Sequence, residues 1–190
     1  AMMLKVRSRQ RGKMAEWIGG LAANYFTGVT AATRLGLTAA GLGQKVLGST
    51  LQGGIASGLR KLSGDRIPQW NRYMPGSSAM PKPEAGAGLN RPRVVYFPSC
   101  ASRTMGPAQG DPETEALPVK TAGLLRKAGF EVILPEDCTA LCCGQPFESK
   151  GLPEQADAKR REVEQALLKA SRNGQDPIVF DTTPCALRVR

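Results

Sequence analysis

A chain of 190 residues with 41% hydrophobic and 22% charged residues is long enough for one domain with its own core plus an appended segment. It contains no histidine, which excludes Ser–His–Asp and Cys–His catalysis, histidine-containing zinc sites and histidine-ligated haem. The net charge of +10 belongs to the first half: residues 1–90 carry 12 Lys/Arg against 3 Asp/Glu, whereas residues 91–190 carry 14 against 13.

The chain opens on a basic run, Lys5, Arg7, Arg9, Arg11 and Lys13, followed by an uncharged stretch from Trp17 to Thr33. This has the outline of a targeting segment, but Asn24, several threonines and the Gly19-Gly20 pair leave it too weakly apolar for a signal core or a membrane span. Met14, Trp17, Ile18, Leu21 and Tyr25 recur at helical spacing, as do Leu51, Ile55, Leu59 and Leu62. The pattern predicts a helical, basic, Gly/Ala-rich segment over residues 1–63. Its helices should be short, because Gly41, Gly43, Gly53 and Gly54 each cost about 1 kcal/mol relative to alanine in a helix interior. No GxGxxG follows a strand and no GK[ST] occurs, so a nucleotide loop is not supported. A basic half can meet nucleic acid, an anionic membrane or an acidic partner. No DNA-reading motif accompanies these scattered cations, and nucleic acid is not expected as a partner.

Residues 64–92 turn to Pro68, Pro75, Pro81, Pro83 and Pro92 with Gly76-Ser77-Ser78, which reads as a Pro-rich linker or an extended arm anchored by Trp70 and Tyr73. Order returns at Arg93. Val94-Val95-Tyr96-Phe97 reads as a strand stopped by Pro98. Leu117, Thr121, Leu124, Leu125 and Ala128 share a helical face closed by Gly129. Glu131-Val132-Ile133-Leu134 is a second strand. Ala156, Val163, Ala166, Leu167 and Ala170 mark a second helix closed by Asn173-Gly174, and Pro177-Ile178-Val179-Phe180 is a third strand. Alternating strands and helices with short connections predict an α/β domain over residues 93–190, a parallel sheet in a three-layer arrangement. The charged helical positions Lys159, Arg160, Arg161, Glu162 and Glu164 read as a solvated face.

The five cysteines fall in one pattern. Cys100, Cys138 and Cys185 each lie just after a strand, and Cys142-Cys143-Gly144 forms a turn after Cys138. The C-terminal ends of parallel strands share one edge, where ligands bind, so the thiols should converge there. A single buried cysteine is ordinarily a small hydrophobe. Five at one edge suit a soft metal, an iron–sulfur cluster or tetrathiolate zinc. Thiol–disulfide redox remains a further option, although no CxxC is present. An odd count with two adjacent cysteines argues against a secreted disulfide framework and for a reduced, cytoplasmic chain. Glu136 and Asp137 beside Cys138 read as ordinary loop-capping acids, with tuning of the site as the alternative.

Phe97-Pro98-Ser99-Cys100, Leu141-Cys142-Cys143-Gly144 and Asp181-Thr182-Thr183-Pro184-Cys185 resemble the cysteine-rich "CCG" domain. That domain occurs in heterodisulfide reductase, in the iron–sulfur subunit of glycolate oxidase and in bacterial FAD-linked D-lactate dehydrogenases. The resemblance covers about Arg93 to Arg190 and is closest to the last of these. It implies a redox module passing electrons from flavin to an acceptor such as a quinone, with Cys100, Cys142, Cys143 and Cys185 holding an iron–sulfur cluster of the 4Fe-4S kind. Cys138 is a further metal-ligand candidate. FAD would belong to the parent chain only. The implied partners are the parent's remaining flavin, ferredoxin-like and second CCG domains, and the implied location is the cytoplasm or the inner membrane face as a peripheral protein. This sequence departs from the family pattern in having Thr182-Thr183-Pro184-Cys185 where CxxC often stands, and in carrying one CCG repeat rather than two. It reads as a fragment inactive alone in lactate oxidation, with Ala1 a tag remnant. Two other readings stand beside it, a zinc-stabilised structural or docking module and a membrane-surface adaptor using the basic half.

Overall fold

The computed structural model describes residues 12–65, 71–82 and 91–190. A helical region, α1 (Lys13–Asn24) and α2 (Phe26–Leu62), precedes a short strand β1 (Pro75–Ser77). Then follow β2 (Arg93–Phe97), α3 (Cys100–Thr104), β3 (Met105–Ala108), α4 (Leu117–Lys127), β4 (Glu131–Ile133), a 3-10 turn (Cys138–Ala140), α5 (Gln145–Ser149), α6 (Pro153–Ala170), β5 (Ile178–Phe180) and α7 (Thr183–Val189). The protein is a mixed α/β chain.

Three strands make a parallel sheet in the order β4-β2-β5. Val94 pairs with Val132, and Phe97 with Phe180. Alternation along β2 sends Val95 and Phe97 to one face, against Val163 and Leu167 of α6, while Val94 and Tyr96 meet Ala122 of α4 on the other. Both faces are therefore covered, as a continuous apolar strand requires. The three strands and two long helices expected between residues 93 and 180 all form. Gly129 (φ 92°) closes α4, and Asn173 and Gly174 (φ 58° and 84°) close α6, in left-handed conformations that end helices cheaply.

The first half differs from expectation in one respect. Residues 26–62 form two helices that meet at Gly48 (φ 75°, ψ 164°), a glycine break as expected, but the first of them runs longer than its glycine content suggests. Tertiary contacts offset the low glycine propensity. Arg34 donates to Ser78 O at 3.0 Å, Thr38 to Ser77 Oγ at 3.0 Å, and Gln109 to Gly41 O. These bonds lay α2 along the antiparallel ribbon formed by β1 and β3. Part of the Pro-rich stretch is thus a strand. Trp70 lies outside the described residues. Tyr73 is 69% exposed with Arg72 over its ring, so it anchors nothing. No helix among the described residues is long and apolar enough to cross a membrane.

The expectation of a fully solvated charged face on α6 also needs correction. Lys159 is buried, pairs with Glu162 at 2.8 Å and lies 6.0 Å over the Phe26 ring. Its alkyl stem covers apolar surface while the ammonium reaches a carboxylate. Arg160 and Glu164 do pair along the helix surface.

Candidate functional site

Each strand end delivers a cysteine through a short, locally determined turn. After β2, Ser99 accepts from Ser102 N at 3.1 Å and caps α3, so Cys100 becomes the first helical residue. After β4, Asp137 takes a left-handed conformation (φ 49°) and opens the 3-10 turn that carries Cys138. After β5, Pro184 stands in the first turn of α7, where its missing N–H costs nothing, and Cys185 follows it.

The CCG turn depends on Gly144. Its φ is 86°, and a Cβ there would lie 2.1 Å from the Ala156 carbonyl oxygen. Gly144→Ala is expected to cost about 2–5 kcal/mol, combining left-handed strain with an overpacked contact. Urea denaturation measures this; a loss below about 1 kcal/mol would mean that the turn relaxes freely.

Asp181, which the sequence reading did not single out, ties two strand ends together. Its carboxylate accepts from Ser99 N at 2.8 Å, from the Tyr96 hydroxyl at 3.1 Å and from Ser102 Oγ. Burial, with Asp181 adding, pushes the Tyr96 hydroxyl well above its ordinary value, so it remains a donor. The carboxylate fixes the loop of Cys185 against that of Cys100.

Four thiols form a row. Cys143 and Cys185 are 3.3 Å apart, sulfur to sulfur. Cys142 neighbours Cys143 on one side and Cys100 on the other. The Gly144 N–H reaches Cys142 Sγ at 3.5 Å. Cys142, Cys143 and Cys185 are buried and Cys100 is half-buried. Cys138 is buried but lies outside the row, packed with Val95, Phe97, Leu141 and Val163. The site is also roofed by the helical region. Phe26 at the start of α2 packs with Cys142 and Phe147, its ring centroid 6.3 Å from that of Phe147, and Gly19 of α1 abuts Leu152.

The hydrogen bond from Cys142 lowers Cys100 to about 7, against the opposing effect of burial and with help from the Arg103 charge. Hydrogen bonds from Cys142 and Cys185 hold Cys143 far below an ordinary thiol. Giving those bonds, and burial, push Cys142 and Cys185 up; burial alone is the main cause that raises Cys138. In the metal-free protein Cys100 should therefore be the first thiol alkylated by iodoacetamide. Only the thiolate reacts, so its rate should rise with pH through a midpoint near 7. A midpoint near 9, or first reaction at another cysteine, would contradict this arrangement.

Arg103, also unmarked in the sequence reading, is only 4% exposed. It donates to Leu141 O, to Ser99 O at 3.3 Å and to Cys138 Sγ at 3.6 Å, and its guanidinium stands 5.5 Å from the Phe97 ring centre. Among the described residues no carboxylate forms a salt bridge with it. A buried cation without a carboxylate needs other negative charge nearby, and Cys100 is the lowered thiol on which its charge acts. Glu136, a candidate for tuning, instead pairs with Lys169 at 2.6 Å on the surface.

Four clustered thiols match iron–sulfur ligands in kind and number. They stand in a row, and no group of three His, Cys, Asp or Glu among the described residues is arranged to hold a metal ion. Donor chemistry and count therefore suit a cluster, while the side chains in this structure do not encircle one.

A parallel α/β sheet with a cysteine-bearing C-terminal edge defines a cysteine-rich domain. The family model for the cysteine-rich domain, CCG, matches residues 94–190, just over half of the chain, and the chain belongs to that family. The domain is typical of iron–sulfur, redox-active subunits. No curated protein and no solved structure matches the chain.

Proposed function

We propose that this chain is an iron–sulfur redox module of an FAD-linked D-2-hydroxyacid dehydrogenase, with D-lactate the substrate of the whole enzyme. The observation that carries the redox reading is the row of Cys100, Cys142, Cys143 and Cys185 at the strand ends. The resemblance of the Cys100, CCG and Cys185 segments to FAD-linked D-lactate dehydrogenases supports the choice of parent.

Cys100, Cys142, Cys143 and Cys185 would hold the cluster, which supplies one-electron transfer when bound. Arg103 offsets negative charge at the sulfurs, Asp181 holds two ligand loops in register, and Phe26 excludes water from Cys142. Electrons would arrive from the flavin and ferredoxin-like domains of the parent and leave toward a quinone at the inner membrane face. A second CCG repeat would complete the assembly. The basic first half would favour an anionic lipid surface there.

Zinc is the second reading, because a tetrathiolate set also suits it and the absence of histidine leaves that option open. Metal analysis and a visible spectrum on protein purified without oxygen separate the two. Iron with sulfide and absorption near ~400 nm supports the redox module. Zinc alone would replace it with a structural or docking module.

A further inference from the structure

We infer that Cys143 and Cys185 of the metal-free chain are an oxidation site, which forms a reversible disulfide when a hydroperoxide is the oxidant. Their sulfurs are 3.3 Å apart, so about 1.3 Å of approach reaches the length of a disulfide bond. The two residues come from separate elements, one in the CCG turn and one in the first turn of α7, so the bond would tie the CCG turn to α7. The adjacent pair Cys142 and Cys143 is less suited, since its disulfide would close a small ring through a planar peptide bond.

The chemistry balances with peroxide as the two-electron acceptor. The Cys143 sulfur attacks one oxygen and breaks the O–O bond, giving a sulfenic acid and hydroxide, which is protonated to water. The Cys185 sulfur then attacks the sulfenic sulfur, the S–S bond forms, and the S–O bond breaks to release a second water. Two thiols are oxidised and one peroxide is reduced to two waters. Cys143 and Cys185 are both buried, but peroxide is small and the row leads to the half-buried Cys100 at the protein surface. An excluded bulkier oxidant leaves this route to the small one. The inference does not depend on which metal the thiols hold.

The test treats the full chain, stripped of metal and reduced, with hydrogen peroxide, followed by intact mass measurement and tryptic mapping without reduction. The expected product is lighter by two hydrogens, joins peptide 173–188 to peptide 128–150, and reverts with a thiol reductant. Fragmentation of the linked pair should place the bond at Cys143, not at Cys138 or Cys142, which share that peptide. Cys185→Ser should give no link to peptide 173–188. Because the wild-type map locates the bond by itself, a variant that fails to fold does not weaken the test. A product that gains oxygen without cross-linking, or a link that joins Cys185 to Cys138 or Cys142, would overturn the inference.

Discussion

Replacing Arg103 by Met, which keeps the length and much of the packing, is expected to destabilise the domain by about 2–4 kcal/mol. The buried carbonyl of Leu141 would lose its guanidinium donor, at about 1–3 kcal/mol, and the contact with the Phe97 ring would go as well, at about 0.5–2 kcal/mol. One effect opposes this: an unpaired buried cation is expensive to desolvate. Cys100 settles the sign, since it is a lowered thiol that the Arg103 charge favours. Removing that charge should also move the Cys100 alkylation midpoint above about 7. Urea denaturation and the alkylation profile read the two effects separately. Unchanged or increased stability would mean that burying the guanidinium costs more than its bonds contribute.

The second large effect is expected at Cys143. Its sulfur lies 3.3 Å from that of Cys185, and it is the chain neighbour of Cys142. Cys143→Ser should lower iron content after anaerobic reconstitution by about tenfold or more, since even outer-shell changes cost 10–100-fold in metal affinity. Cys138→Ser should retain iron, because that thiol lies in the core beside Arg103 and not in the row. The contrast decides between a four-thiol and a five-thiol site. Equal loss in both variants would place Cys138 among the ligands.

What the sequence made legible follows the range of the interactions involved. The strands at Val94 and Ile178, the helix face at Val163 and the stops at Gly129 and Gly174 are local patterns, and each formed where expected; the face expected through Leu117 and Leu124 did not turn inward, since both are exposed and Ala122 is buried instead. The strand ends placed cysteines at one edge because parallel topology follows from alternating elements. Three short helices were not foreseen, although Ser99 to Ser102 and the prolines at positions 146 and 184 are capping and first-turn signals for them. Arg103 and Asp181 were illegible for a different reason. Their partners, Leu141 and Cys138 for one and Ser99 and Tyr96 for the other, are 35 or more residues distant and are brought near only by the sheet. The same holds for Phe26 against Cys142 and for the glycine-rich α2, whose contacts with Ser77 and Ser78 override local propensity.

The most direct test of the central claim is a potentiometric titration of the anaerobically reconstituted protein, followed by visible absorbance. An iron–sulfur centre held by the four thiols should bleach near ~400 nm along a one-electron curve, about 59 mV per tenfold change in the ratio of oxidised to reduced protein. A two-electron curve of about 30 mV per tenfold change, with no visible band, would contradict it and assign the redox activity to the thiols themselves.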